Sequence, residues 1–567
     1  MKHVFTIIIL YCFAYLFFLW QTPLGLEAVL DGAENILLSE QIYNGNLPSE
    51  PFYRSMLYQY FLAFWRLFGF DNSEMMFIAS ITGILMHIFN AFLTGYISYK
   101  LWNNKIVFYI TSLIYGFYPP LIFFAAEPID ITLSITFMLI FLVFFIKGFR
   151  GEKEINFAIS GVFLGLSALC RSNTLILASI LPGETYITKR VPKSILMLLL
   201  LLSLGAGAGY YISEEFRLLP WQSGYNFYAA NKEGANGKYY ANTIYLADRP
   251  QGTNPARLES EIIYYNETQK IASDDINAFN KFWFDKFLVT VKNKPYEWLK
   301  LTGKRIYYMM NNFEQYNNKT FSFHKELSPV LKYNPLCFGF VFILFVFTVT
   351  NRRLCNKEQR RLIRIIAAGI LLMGLGNSLF FASAKFRILF VPLMICVGSG
   401  AYSISLKRYR DIGLKKAIKP LCFALLAAFL AFSSYFNASD TSTYKQDKLL
   451  IAQAASRLRM FNEQVYWANE TLKDDPTILS AIRIKLVGLT NLIMNSNISD
   501  EDIKIHSSQN VRFLKSNKLS FSDTNLFMLY HSIFIEVDPI EGANSFVKIP
   551  IQDYHLMLIM LIKKMTI

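Results

Sequence analysis

The sequence predicts an α-helical integral membrane protein with about eleven spanning helices, outward-facing loops and a mainly helical soluble C-terminal region. Three observations carry this. The 567 residues are 53% hydrophobic and only 17% charged, against roughly 45–50% and about 25% in soluble domains. The 51 Phe and 33 Tyr exceed what a soluble core needs. Basic residues gather in alternate short connections between apolar stretches, the pattern of cytoplasmic loops. Disorder, collagen, coiled coil and disulfide scaffolds are excluded by the same composition. The net charge of +15 does not suggest nucleic acid, because it sits in those short loops. The six cysteines show neither a disulfide framework nor zinc spacing.

A span needs about 20 mostly apolar residues. Eleven stretches qualify or nearly so: 4–20, 75–98, 106–124, 129–147, 155–170, 172–188, 194–212, 334–350, 362–383, 387–405 and 418–436. The first lacks a small-residue cleavage site and reads as a retained helix. Arg171 separates the short pair 155–170 and 172–188. Basic connections carry Lys100 and Lys105; Lys147, Arg150 and Lys153; Lys189, Arg190 and Lys193; Arg352 to Arg364; and Lys407 to Lys419. Every second connection is thus cytoplasmic, with the N-terminus inside and the C-terminus outside. The other face receives a first loop (21–74), tight turns near Glu127, Arg171 and Lys385, a soluble segment (213–333) and a terminal region (437–567). The expected division is a membrane domain over 1–436 and an extracytoplasmic helical region over 437–567. In the latter, Leu449 to Pro476 has helical periodicity and resembles one degenerate tetratricopeptide-type helix pair. A generic helical cap fits equally well.

Candidate chemistry lies on the outer side. Asp31 and Glu34 are three residues apart and share a helix face; Asp31 reads as an N-cap or as a reactive acid. Glu50, Tyr53, Arg54 and Tyr58 follow in an aromatic-rich stretch that also suits an interfacial belt. Arg171, Lys385 and Arg387 fit anion binding or snorkelling to headgroups. Glu127 fits a helix end or a salt bridge, and Asp130 an N-cap. Asn226, Asn231 and Asn236 lie in a segment rich in Tyr and Trp, suited to sugars but also to ordinary loops. No phosphate-cradling P-loop is present.

Five strings in order carry a resemblance. They are LD-x-x-E with IYNG and PFYRSMLYQYFLAF in the first loop, SLIYGFYPPLIFFAAEPIDITL (Ser112–Leu133), GVFLGLSALCRSNTLIL (Gly161–Leu177), SGYNFYAANKEGANG (Ser223–Gly237) and AKFRILFVPLM (Ala384–Met394). Over about residues 1–436 the chain resembles bacterial polytopic glycosyltransferases of the GT-C superfamily, similar to protein O-mannosyltransferases and aminoarabinose transferases. That resemblance implies a GT-C-like bundle in a bacterial inner membrane. It implies transfer of a sugar, with inversion, from a polyprenyl-phosphate carrier to an acceptor hydroxyl of a protein or glycan at the outer face. Asp31 then corresponds to the general base, with Glu34 or Glu50 as a second acid. Arg387 and Lys385, with Arg171 and Arg54, would hold the departing phosphate. Glu127, Tyr53, Tyr58, Asn226 and Asn231 would contact sugar or acceptor. No cofactor is implied. No metal is expected either, since the first loop has no Asp-x-Asp pair, unlike the metal-using oligosaccharyltransferase branch of the superfamily. Two alternatives stand beside this reading: a transporter or flippase of lipid-linked sugars, and a non-catalytic envelope scaffold binding a protein through its C-terminal helices.

Overall fold

In the computed structural model, residues 2–47, 52–182, 184, 192–213, 217, 220–239, 254–411 and 418–495 are described. The site candidate Glu50 and everything beyond Asn495 lie outside them, as do parts of the outer segment and of two basic loops. Among the described residues the structure is helical, with no strand beyond one isolated bridge, Lys238 to Ala382.

The larger unit runs to Thr443 and the smaller begins at Tyr444. In the larger unit the helices are α1 (Lys2–Leu19), α2 (Asp31–Tyr43), α3 (Leu57–Arg66), α4 (Asn72–Trp102), α5 (Lys105–Phe117), α6 (Pro119–Ala125), α7 (Ile131–Phe149) and α8 (Ile155–Cys170). They continue with α9 (Lys193–Ser213), α10 (Ser223–Asn231), α11 (Pro255–Thr268), α12 (Ile276–Asn293) and α13 (Pro295–Met310). Next come α14 (Phe338–Thr350), α15 (Lys357–Ser378), α16 (Val391–Gly398), α17 (Ala401–Asp411) and α18 (Ile418–Phe432). Among the described residues, α1, α4, α7, α9 and α15 are long and apolar enough to cross a membrane, and α5 with α6 adds a sixth span bent by 59°. Four shorter apolar stretches supplement them: α8, α14, α16 running into α17, and α18. The chain is therefore a multi-pass helical membrane protein. Large apolar side chains exposed on its outer helices, such as Leu10 and Phe17 of α1 and Leu199 and Leu204 of α9, face what would be lipid.

Two expected spans take another form. The stretch 106–124 breaks at Tyr118, because Pro119 and Pro120 begin a new helix and cannot continue the old hydrogen-bond ladder. The stretch 172–188 opens as a 3-10 helix, Ser172–Ile180. Its remainder, apart from Leu181, Pro182 and Glu184, lies outside the described residues. Arg171 ends α8 in an extended conformation, φ −156° and ψ 103°, so the chain reverses there. It has returned by α9, whose start adjoins that of α8: Lys193 pairs with Glu154 at 2.7 Å, and a Cβ on Gly161 would lie 2.1 Å from the Ser194 carbonyl oxygen.

The ends of these helices sort by charge. At one end, Lys100 pairs with Glu152 and Arg150 with Glu358. The first loop, the turn after α6, the end of α8 and the start of the Ala384–Arg387 turn meet at the other. Above that end, α10, α11 and α12 enclose Tyr53, Trp221, Tyr225, Phe279 and Trp283 in an aromatic core of their own.

The smaller unit comprises α19 (Tyr444–Arg457), α20 (Phe461–Asp474) and α21 (Leu479–Asn495) among its described residues. The periodic stretch Leu449–Pro476 is two helices, broken where Arg459 takes φ 57°. They form a hairpin, held by Lys445–Asp475 and Lys448–Asp474 ion pairs, with small Ala452, Ala455 and Ala468 buried.

Candidate active site

Asp31 is the first residue of α2, not its cap. The capping position belongs to Leu30, at φ 51° and ψ −126°, and no side chain caps this helix end. A non-glycine residue in that region costs on the order of 1–3 kcal/mol and needs its surroundings to hold it. Two contacts do so. Gly32 packs on Pro128 so closely that a Cβ would sit 2.6 Å from Pro128 Cγ. Asn35 donates from Nδ2 to the Pro128 carbonyl at 3.0 Å. The start of α2 is thus fastened to the turn that follows α6, and Asp31 is aimed across it.

There Asp31 Oδ2 meets two cations, Arg54 at 2.8 Å and Lys385 at 2.5 Å. Arg54 also pairs with Glu34, whose carboxylate accepts from Asn254 Nδ2 at 3.2 Å. Burial pushes both carboxyls up. For Asp31 the charges of Arg54 and Lys385, with hydrogen bonds from Lys385 and Asn318, outweigh burial and hold it well below the usual carboxylate range. For Glu34 burial, aided by the Asp31 charge, wins over Arg54 and the group is raised. One shared arginine therefore leaves two neighbouring acids with opposite shifts. Beside them Arg171 binds both oxygens of Asp130, at 2.9 and 3.1 Å, and lies over the Phe386 ring at 5.6 Å.

Most of these groups, though not Glu34, line one cavity of about 330 Å³. Asp31, Arg54, Asp130, Arg171 and Lys385 form its charged side, and Asn226 lines it from α10. A second cavity of about 400 Å³, around Trp102, Asn104 and Gln359, is lined among the described residues by no Asp, Glu, Lys or Arg; it adjoins the basic end of the bundle.

The remaining sequence candidates are taken up by other contacts. Arg387, two residues from Lys385, is 2% exposed and does not line the cavity. It pairs with Glu314 at 2.7 Å, donates to the Asn311 and Phe313 carbonyls, and sits 3.9 Å from the centre of the Phe338 ring. It is a structural ion pair rather than an available phosphate ligand. Glu127 is closed off by Lys319 at 2.6 Å. Tyr53 packs edge-on against Trp221 at 4.8 Å, and Tyr58 packs among Ala28, Ile36 and Leu62. Asn231 is buried, accepting from Arg305 and Trp298 at 2.9 Å each. Asp130, read as an N-cap, makes no side-chain cap bond and serves Arg171 instead.

Sequence reasoning missed the strap 311–320. It buries Asn311, Glu314, Gln315, Asn317 and Lys319 and carries Asn318 to Asp31. Ala384 N donates to the Gln315 carbonyl at 2.9 Å, and Ser383 Oγ to Asn317 at 3.1 Å. These bonds place Lys385. The clue was the polar run Asn311 to Thr320, but Asn-rich runs usually mark solvated turns. Among the described residues no group of three or more His, Cys, Asp or Glu is placed to hold a metal.

No protein-family model matches the chain, and no curated protein matches it. Among solved structures it is similar to the apo oligosaccharyltransferase of Archaeoglobus fulgidus, with TM-score 0.42 and 12% identity over 92% of this chain and 61% of that one. It is also similar to the archaeal oligosaccharyltransferase AglB of Archaeoglobus fulgidus, solved in complex with an inhibitory peptide and a dolichol-phosphate, with TM-score 0.39 and 11% identity over 82% of this chain and 59% of that one. The chain thus spans about three fifths of the length of each.

Proposed function

We propose that this protein is a GT-C-type membrane glycosyltransferase that moves a sugar from a polyprenyl-phosphate carrier to an acceptor hydroxyl at the outer face of a bacterial inner membrane. The observation that carries the reading is the meeting of Asp31, from the first loop, with Lys385, more than 350 residues later, in one cavity also lined by Arg54 and Arg171. A phosphate-leaving transfer needs a carboxylate for the acceptor proton and cations for the departing charge.

The resting arrangement gives the reaction an order. Asp31 held by two cations is a weak base. An arriving phosphate competes for Lys385, which has three donors to share. Once Lys385 turns to the phosphate, Asp31 keeps Arg54 and Asn318 but loses one cation, and its proton affinity rises. The acceptor oxygen then attacks the anomeric carbon, from the face opposite the phosphate. The carbon–oxygen bond to phosphate breaks, its electron pair leaves with the polyprenyl phosphate, and the hydroxyl proton passes to Asp31. Arg54 holds Asp31 to Glu34, and Arg171 with Lys385 balances the leaving charge.

Reconstitution of the full chain in liposomes with a polyprenyl-phosphate sugar donor tests this. New glycosidic product at the face bearing the first loop is the expected result. Lipid-sugar crossing the bilayer with no product would replace the enzyme by the flippase alternative.

A further inference from the structure

We propose that the sugar moiety accepted by this cavity is uncharged and hydroxyl-rich, rather than an amino sugar or a uronic acid; the proposal rests on the glycosyl-transfer reading above. The argument begins with what is already paired. Among the described residues, Asp31 and Asp130 are the carboxylates lining the cavity, and both are neutralised by cations within 3.1 Å. A sugar ammonium would enter a cleft that offers it cations and no unengaged carboxylate among the described residues, and burying an unpaired charge is costly. A uronate would compete with the donor's own phosphate for Lys385, Arg54 and Arg171.

The rest of the lining suits hydroxyls. Gln222, the cap residue of α10, and Asn226 within it both line the cavity, with Ser223 beside them. The side chains of these three make no hydrogen bond among the described residues. Across the cavity, Asn173 donates to Asn377 at 3.0 Å and both line the wall. Each carboxamide offers two donors and an acceptor, which matches hydroxyls that donate and accept. Phe381 and Phe386, stacked with centroids 5.5 Å apart, supply an apolar wall for the C–H face of a sugar ring.

The test is a donor panel with the full-length protein in liposomes: polyprenyl phosphates of one chain length carrying a neutral hexose, an amino hexose or a hexuronic acid. The neutral donors should exceed both charged ones by at least tenfold in kcat/KM. Equal or greater turnover of a charged donor would overturn the proposal while leaving glycosyl transfer intact. Silence on every donor would overturn the underlying reading and the proposal with it. The variant Asn226→Asp, confirmed folded by its melting temperature, adds a carboxylate without a partner cation. It should reduce the discrimination against the amino sugar by about tenfold. An unchanged ratio would contradict a sugar seated against α10.

Discussion

Lys385 and Arg387 stand two residues apart and have opposite employments. Lys385 reaches Asp31 at the cavity wall, while Arg387 is enclosed with Glu314, whose other neighbour is the Tyr118 hydroxyl at 3.3 Å. Replacing Arg387 by Met strands a buried carboxylate, and losing one partner of such a pair costs about 3–5 kcal/mol. Arg387→Met should therefore lower the melting temperature in detergent, and adding Glu314→Leu should restore much of it. Lys385→Met leaves Asp31 its Arg54 partner, so it should lower the melting temperature less than Arg387→Met does, and it should raise the KM for the lipid donor. It should also move the acid limb of the rate–pH profile upward. The sign follows from charge: Lys385 holds the Asp31 carboxyl down, its removal raises that carboxyl, and the base is then protonated at a higher pH. The sequence showed both cations at the right place in the chain. It could not show which one lines the cavity, because that depends on the strap 311–320, distant in sequence and unremarkable in composition.

At the scale of elements, α2 is aimed by its seat on the turn after α6. Gly32→Ala would push a Cβ against Pro128 and lift Asp31 from its partners. A displacement near 1 Å can cost roughly 100-fold in rate. The expected outcome is a folded protein with transfer reduced by about that factor, measured as kcat at saturating donor. Helix α2 itself was legible from Asp31, Glu34 and the apolar positions after them, but the lock on Pro128 was not, since it is a contact across about a hundred residues. The 3-10 helix after Arg171 was hidden for another reason. The stretch 172–188 carries the apolar run Leu175 to Ile180 and so reads as a short span, and periodicity does not register that Arg171 leaves its helix to bind Asp130.

For the molecule as a whole, membrane character and helical class could be read directly from composition and from the alternation of basic loops. That alternation survives the loss of one regular helix, because the chain still reverses between α8 and α9. What hydropathy could not supply was the pairing of charges inside the cavity, a property of the assembled helix ends. The central claim is that Asp31 takes the acceptor proton. The most direct measurement is the turnover of Asp31→Asn in liposomes with a polyprenyl-phosphate sugar, expression and melting temperature being matched to the parent. General-base loss predicts a fall of about 100- to 10,000-fold with donor still bound; turnover equal to the parent would contradict the account.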